Sequence, residues 1–315
     1  MKTGTTPESR LMATITRLTD LARGDRSPAA VQAGASIAVT ANVARNAAGG
    51  GLARRRRWRP AREALWAVFD RYVPAGATVG VLGAGNGDDL PLRRMARRAG
   101  RVDLIDLDPV ALRGARRAAL WRASHVHSLV EDVTGGAADS IIRRALGEHV
   151  RVQLPAPTPI GSGFYDVLVT DLMLTQMLYP ALVDSGLGQT TIKEALFRDG
   201  QPLTDAVVAR LHASTPTGLV VHVHDVLGWW EGHPQPFTIK ETLAVAPDPP
   251  SAAALLRQGH QPSGCDPRQA SQRCGAQVID TAYWRWPFAT GTDYLVCATV
   301  ARSAAQVLAG VACRT

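Results

Sequence analysis

The stretch Val79 to Leu90, VGVLGAGNGDDL, constrains the fold of this chain more than any other. Its apolar start is typical of a buried β-strand, and the glycines at positions 83, 85 and 87 predict a sharp turn into a helix. Such a turn also lets a ligand approach the backbone closely. Because glycine turns occur as plain connections too, the interpretation depends on the segments that follow.

Short apolar runs alternate with helical segments after this turn. The order predicts right-handed βαβ units and therefore an α/β fold with a doubly wound, mostly parallel sheet. The runs are almost continuously hydrophobic, as expected for strands that helices cover on both faces. The predicted strands are 78–82, 102–106, 126–130, 165–171, 219–226 and 293–301.

Residues 1–75 form the first of two predicted units, an N-terminal helical cap. Ser27 and Pro28 suit the start of one helix, and another is predicted from Pro60 to Tyr72. The helices could pack on the main domain as a plain cap or cover a ligand site as a lid, and the sequence leaves both open. Residues 76–315 form the second unit, in which 228–292 is rich in proline and glycine and is predicted to be mostly irregular.

Composition favours a cytoplasmic, soluble protein without a membrane partner. No window holds the roughly 18 apolar residues of a membrane span, and the first residues lack the apolar core of a signal peptide. The four cysteines show no zinc or redox spacing, so no metal is predicted, and a bridge between Cys265 and Cys274 stays open. A homodimer stays open as well.

The net charge of +8 raises the question of nucleic-acid binding. One basic cluster stands out, the run from Arg54 to Arg57. We interpret this run as the solvated start of a helix, so a nucleic-acid partner is not expected.

Acidic residues follow the predicted strands at their carboxyl ends, where ligands bind in open α/β sheets. Asp106 ends the second strand and is placed to accept both ribose hydroxyls of a nucleoside. Asp132 follows the third strand, with Val133 as an apolar neighbour for an adenine ring, and Asp171 ends the fourth. Asp108 precedes a proline, so we predict that it caps a helix instead of binding a ligand.

This succession resembles the class I S-adenosylmethionine-dependent methyltransferases over roughly residues 75 to 227. The resemblance implies a Rossmann-like sheet of seven strands and S-adenosylmethionine as the cofactor. It also implies that the glycine turn holds the methionine part, that the next two acids bind ribose and adenine, and that the segment after the fourth strand lies beside the reacting methyl group. The implied cofactor-binding residues are Gly83, Ala84, Gly85, Asn86, Gly87, Asp88, Asp106, Leu107, Asp132, Val133, Asp171 and Leu172.

Val81 departs from the usual pattern of this family, and Asp88 argues against the nearest alternative, a nicotinamide-binding Rossmann domain. The family usually carries an acid two places before the first glycine, where this chain has Val81, so Asp88 or Asp171 would contact the methionine amino group. A nicotinamide-binding Rossmann domain would need glycine at position 88, and the Asp88 carboxylate would repel a pyrophosphate at the helix start. Adenosylmethionine carries no phosphate, which favours the methyltransferase.

The candidate catalytic residues are His224, Asp225 and Asp171. His222 and His224 point to one side of the fifth strand, and His224 and Asp225 lie nearest to its carboxyl end, where a base could remove a proton from the acceptor. We interpret His222 as a hydrogen-bonded core residue. A metal site formed by these two histidines with His233 is not favoured.

The prediction of the acceptor depends on a motif that is missing. Residues 171–174, DLML, lack the form (Asp or Asn, Pro, Pro, aromatic) associated with methylation of base or amide nitrogens. We therefore predict a methyltransferase with a small-molecule acceptor, acting in a biosynthetic pathway. Five aromatic residues could line the acceptor pocket or form the core of an irregular subdomain, namely Trp229, Trp230, Tyr283, Trp284 and Trp286.

Two other classes of function stay open. The same fold can react at the aminocarboxypropyl arm of adenosylmethionine, for example by cyclisation to azetidine-2-carboxylate, which needs an enclosing lid and no second substrate. The other class is an RNA methyltransferase or a non-catalytic protein that binds adenosylmethionine.

Overall fold

Seven strands form the central sheet of this computed structural model, which describes residues 36–48, 51–119, 124–260 and 265–303. In chain order they are β1 (Thr78–Leu82), β2 (Arg101–Asp106), β3 (Val126–Val130), β4 (Val167–Asp171), β5 (Leu219–Trp229), β6 (Gln277–Ala289) and β7 (Thr292–Arg302). Their order in the sheet is β3-β2-β1-β4-β5-β7-β6. The first five strands are parallel, and β7 runs antiparallel to β5 and β6. The predicted doubly wound, mostly parallel α/β sheet is confirmed.

Helices cover both faces of the sheet. In chain order they are α1 (Ile37–Ala48), α2 (Leu52–Arg57), α3 (Arg59–Tyr72), α4 (Leu92–Arg98), α5 (Pro109–Ala118), α6 (Ala137–Ala145), α7 (Tyr179–Asp184), α8 (Gln189–Ala195), α9 (Gln201–Ala213), α10 (Ile239–Val245), α11 (Pro249–Leu256) and α12 (Pro267–Arg273). Leu65, Met95 and Leu112 of α3, α4 and α5 belong to one core cluster, whereas Ile141 and Leu203 of α6 and α9 belong to another. Burial between these clusters explains the continuous hydrophobic runs of the central strands.

The described helices before residue 75 do not share one environment. The predicted helix after Pro60 is confirmed as α3, which is buried in the core through Leu65 and Phe69. By contrast, α1 packs on α7 near the carboxyl ends of the strands. The predicted helix start at Ser27 and Pro28 lies outside the described residues.

The prediction that residues 228–292 are mostly irregular is wrong. β5 continues to Trp229, three helices follow, and β6 spans 13 residues. The prolines caused the error, because Pro249 and Pro267 begin the helices α11 and α12. Pro287 lies in β6, which is an edge strand of the sheet, where a missing N–H is tolerated.

The described residues include no helix that is long and apolar enough to cross a membrane. They also include no group of three or more His, Cys, Asp or Glu side chains that could hold a metal ion. Cys265, Cys274 and Cys297 are free thiols, so the bridge between Cys265 and Cys274 is not formed.

Candidate functional site

The glycine turn after β1 requires glycine for two reasons. Gly83, Gly85 and Gly87 all have positive φ angles, of 74°, 45° and 63°. A Cβ on Gly83 would lie 2.6 Å from Met173 Cβ, and a Cβ on Gly87 would lie 2.6 Å from Leu92 Cδ1. The segment after β4 and the start of α4 therefore pack directly on this turn.

Asp106 connects the glycine turn to the end of β2. Its Oδ2 accepts a hydrogen bond from Gly85 N at 2.9 Å, and its Oδ1 accepts from Asp108 N at 3.0 Å. Asp108 caps α5, as predicted, because its side chain accepts from the amides of Val110 and Ala111. These bonds hold the Asp106 carboxylate, in a residue that is 8% exposed, in one orientation at the carboxyl edge of the sheet.

Helix α1 covers this part of the site. Asn42 Nδ2 donates to Asp106 Oδ1 at 2.6 Å, and Asn46 Nδ2 donates to Asp108 Oδ2 at 3.2 Å. In the glycine turn, Asn86 Nδ2 donates to the carbonyl oxygen of Asn46 at 2.9 Å. α1 thus contacts Asn86 and Asp106, two residues predicted to bind the cofactor.

Asp132 supports the loop in which it lies. Its Oδ1 accepts from Thr134 N at 2.8 Å and Thr134 Oγ1 at 2.7 Å, and its Oδ2 accepts from Gly136 N at 2.7 Å. Val133 beside it is buried, and its carbonyl oxygen accepts from Arg210 Nη1 at 2.7 Å. A carboxylate offers about four lone-pair positions, so the contact of Asp132 to an adenine amino group stays a prediction.

The carboxylate of Asp88 is held by the basic run in α2. Arg54 Nε donates to Asp88 Oδ2 at 2.8 Å, and Arg55 Nε lies 3.8 Å from Asp88 Oδ1. Asp88 is 6% exposed, so these guanidinium groups neutralise a buried charge. The interpretation of the whole run as solvated is therefore wrong for Arg54, whereas the side chain of Arg55 is 39% exposed and Arg56 and Arg57 are exposed.

A carboxyl pair that was not singled out from the sequence lies beside the turn. The side chains of Asp89 and Asp171 are in contact, and Asp171, at the end of β4, is buried. Burial first, and then the charge of Asp88, raise the pKa of Asp89 to about 6. Burial and the charge of Asp89 raise the pKa of Asp171 well above its usual range. Each carboxyl of the pair therefore disfavours ionisation of the other.

Leu172 directly follows Asp171 in an unusual backbone conformation. Its φ of 54° makes it the one non-glycine residue with a positive φ in the described part of the chain. This conformation costs a residue with a Cβ about 1–2 kcal/mol. Its N–H donates to the carbonyl oxygen of Val223 at 3.0 Å, so β5 holds the strained residue in place. Strain of this kind is often found at functional sites.

The candidate catalytic residues at the end of β5 have different surroundings. His224 is 5% exposed, and burial above all lowers its pKa to about 4. Asp225 Oδ1 accepts from Thr175 Oγ1 at 2.6 Å, and burial raises the pKa of Asp225. As successive residues of a strand, the two side chains point to opposite faces, so they form no dyad. His222 is a buried core residue, as predicted, with Nε2 2.8 Å from Ser271 Oγ.

Aromatic rings gather where β5, β6 and β7 reach the carboxyl edge of the sheet. Ring centroids lie 5.0 Å apart for Trp286 and Phe288, 5.6 Å apart for Phe288 and Tyr294, and 6.1 Å apart for Trp230 and Tyr294. Burial, and then the charge of Asp225, raise the pKa of Tyr294, so Tyr294 of this aromatic cluster lies within electrostatic reach of Asp225. The indole nitrogens of Trp230 and Trp286 are buried and have no hydrogen-bond partner among the described residues.

The other predicted aromatic residues lie elsewhere. Trp229 packs on Phe237, with ring centroids 6.4 Å apart, and Trp284 is buried in the core. Tyr283 pairs with Cys297 across β6 and β7. Phe288 and Tyr294 were not among the predicted pocket residues, although both are aromatic residues close to the predicted pocket residues Trp284 and Trp286 in the sequence.

Comparison with known proteins gives a likeness in structure alone. No protein-family model and no curated protein matches this chain. A SAM-dependent methyltransferase from Aquifex aeolicus is 11% identical, and the match covers 79% of this chain and 96% of that chain with a TM-score of 0.40. One from Methanosarcina mazei is 12% identical, with 75% and 96% covered and a TM-score of 0.42. A provisionally named RNA methyltransferase from Pyrococcus horikoshii is 11% identical, with 81% and 90% covered and a TM-score of 0.42. Likenesses at this level carry no functional argument.

Proposed function

We propose that this protein is an S-adenosylmethionine-dependent methyltransferase with a small-molecule acceptor in a biosynthetic pathway. The observation that carries the proposal is the carboxylate of Asp106, which Gly85 N fixes at 2.9 Å at the end of β2. A carboxylate held next to a glycine turn in this way suits the two hydroxyls of a ribose. The acidic groups at the same edge suit a cationic cofactor and would repel a pyrophosphate.

The proposed cofactor contacts follow the strands across the sheet. The turn from Gly83 to Asp88 would hold the methionine part through its backbone. Asp106 and Leu107 would bind the ribose, and Asp132 and Val133 would bind the adenine. When bound, adenosylmethionine supplies a methyl group that is activated by its sulfonium.

Asp89 and Asp171 are the groups best suited to the ammonium of the methionine part. Their carboxyls are in contact beside the turn, and they would replace the acid that is missing at Val81. An ammonium group placed there would stabilise the ionised form of both carboxyls, which burial and their proximity otherwise disfavour. Leu172, held in its strained conformation next to Asp171, would keep this end of β4 in position.

Asp225 is the side chain best suited to accept a proton from the acceptor. Its raised pKa makes it a stronger base than an exposed aspartate, and Thr175 Oγ1 orients it at 2.6 Å. His224, with a pKa of about 4, would be a weak base at neutral pH. The remaining task of the protein is to align the acceptor with the methyl group, and Asp171 lies at the end of the neighbouring strand.

Two observations support a small molecule as the acceptor in preference to a nucleic acid. The aromatic cluster that includes Tyr294, with the buried indole N–H groups of Trp230 and Trp286, suits a compact acceptor that carries hydrogen-bonding oxygen or nitrogen atoms. The guanidinium groups of Arg54 and Arg55 are directed to Asp88, which reduces the charge available for phosphates.

A second candidate function is a reaction at the aminocarboxypropyl arm. The observation that favours it is α1, which lies over the glycine turn through Asn46 and Asn86 and encloses this end of the site. An intramolecular reaction needs such an enclosure and no acceptor.

Turnover of adenosylmethionine by the purified protein distinguishes these functions. Adenosylhomocysteine that forms only with an added acceptor would support methylation, and methylthioadenosine that forms without one would support reaction at the arm. Binding without turnover would indicate a non-catalytic protein, and product on RNA would indicate the nucleic-acid alternative. A protein that does not bind adenosylmethionine would contradict the whole proposal.

A further inference from the structure

Asn42 occupies a hydrogen-bonding position on Asp106 that a ribose would need. The two lone pairs of Asp106 Oδ1 are both used, because Asn42 Nδ2 lies at 2.6 Å and Asp108 N at 3.0 Å. Oδ2 accepts from Gly85 N at 2.9 Å and keeps one lone pair. A pair of ribose hydroxyls therefore cannot bond to both oxygens of Asp106 while Asn42 stays where it is.

The same helix also covers the glycine turn. Asn46 Oδ1 lies 3.1 Å from the position that a Cβ on Gly85 would take, and the Asn46 carbonyl accepts from Asn86 Nδ2. Gly85 lies at the middle of the turn that would hold the methionine part. α1 thus blocks the site at two points, Asp106 and Gly85.

Few side chains of α1 are buried. Among residues 37–47, Ala41 is the one that is buried, and Ile37 and Ala38 pack partly buried against the core. Arg45 Nη2 and Asp184 Oδ2 form an exposed ion pair at 3.4 Å, a kind of contact that adds little stability. The N-terminal end of α1 is held by a hydrogen bond from Ala38 N to Asp139 Oδ1 at 2.8 Å. Polar contacts to the candidate site therefore provide much of what holds this helix down.

We propose that α1 competes with the cofactor for Asp106, and that Asn42 is the positioning residue that keeps the site closed in the free protein. This inference rests on the proposed function. Binding then requires α1 to shift, and the ribose hydroxyls replace the Asn42 amide on Asp106. The apparent affinity for adenosylmethionine is reduced by the fraction of molecules in which α1 has shifted.

Titration of adenosylmethionine into the full-length protein by calorimetry tests the competition. Asn42→Ala removes the amide and should tighten binding by about tenfold, the effect expected for one hydrogen bond to a charged group. Arg45→Ala removes only an exposed ion pair that adds little stability, so it should change the affinity much less than Asn42→Ala does. Thr40→Ala, on the exposed side of the same helix, is the matched control and should leave the affinity unchanged.

The outcomes separate competition from a structural role. A merely structural contact would lower the melting temperature of Asn42→Ala without tightening binding, and this result would overturn the inference. Weaker binding by Asn42→Ala would overturn it too, because Asn42 would then be a contact to the cofactor. If wild type and variants bind adenosylmethionine equally, the proposed function stands and the inference falls. If none of them binds it, the proposed function falls.

Amide hydrogen exchange in the ligand-free protein gives an independent readout. Asn42→Ala should speed exchange across residues 37–48 and leave exchange in β1 unchanged. Identical exchange in wild type and variant would overturn the inference, because the contact would then not hold α1 in place.

Discussion

Replacing Asp89 by asparagine removes the charge of the half-buried member of the carboxyl pair, with little change in shape. In the folded protein, burial above all raises the pKa of Asp89 from 3.8 to about 6. Between these two values the folded protein binds a proton that the unfolded chain releases. The stability linked to this proton is fully present below pH 3.8 and is lost as the pH rises through about 6.

The size of this loss follows from the two pKa values. A difference of one in pKa is worth about 1.4 kcal/mol, so ionisation of Asp89 destabilises the folded protein by about 3 kcal/mol. Asparagine does not ionise, so this cost is absent from the variant. The free energy of unfolding of Asp89→Asn should therefore exceed that of wild type by about 3 kcal/mol at about pH 7.5 and nearly equal it at about pH 4.

Urea unfolding followed by circular dichroism at several pH values measures this difference. Glu63→Gln is the control, because Glu63 is an exposed carboxylate that is paired with Arg94. The difference between Asp89→Asn and wild type should grow between about pH 4 and pH 7. Parallel pH profiles for the two proteins would refute burial beside Asp88 as the source of the raised pKa of Asp89.

Two further variants probe the turn and the end of β5. Gly83→Ala should lower the free energy of unfolding by about 2–4 kcal/mol, because its Cβ would lie 2.6 Å from Met173 Cβ at a φ of 74°. Gly232 has a φ of 79° and open space around it, so Gly232→Ala should lower the free energy of unfolding by only about 1–2 kcal/mol. Thermal denaturation of both variants measures these losses, and equal losses would contradict the close packing at Gly83. Asp225→Asn should reduce kcat about 100-fold with unchanged affinity for adenosylmethionine, and unaltered turnover would exclude Asp225 as the base.

The parallel part of the sheet can be predicted from the sequence because its signals are local. The runs that form β1 and β4 are almost continuously apolar, and Gly100 and Gly147 follow the ends of α4 and α6. Burial on both faces of these strands is what the continuous runs reflect. The positive φ angles at Gly83, Gly85 and Gly87 agree with the turn that the glycines predict.

The strand β6 is hidden from sequence reasoning by local composition. Pro287 breaks the expected pattern of a strand, and it is tolerated because β6 pairs on one side only. Whether a strand lies at the edge of a sheet is a property of the whole fold. No local pattern in residues 277–289 reports it.

Contacts across the candidate site cannot be predicted from the sequence either. Asp89 and Asp171 lie far apart along the chain and meet because β1 and β4 are neighbours in the sheet. The apolar positions of α1 predict a helix but do not say which surface the helix covers. The contacts of Asn42 to Asp106 and of Arg54 to Asp88 therefore become visible only when the chain is folded.

Calorimetric titration of adenosylmethionine into wild type and Asp106→Ala tests the central claim most directly. Asp106, fixed by Gly85 N, is the proposed ribose contact. The substitution should weaken binding by about tenfold or more, because a charge-assisted contact to both hydroxyls is lost. Glu63→Gln, which removes an exposed carboxylate, should bind like wild type. Equal affinities of wild type and Asp106→Ala would contradict the assignment of this edge of the sheet as the cofactor site.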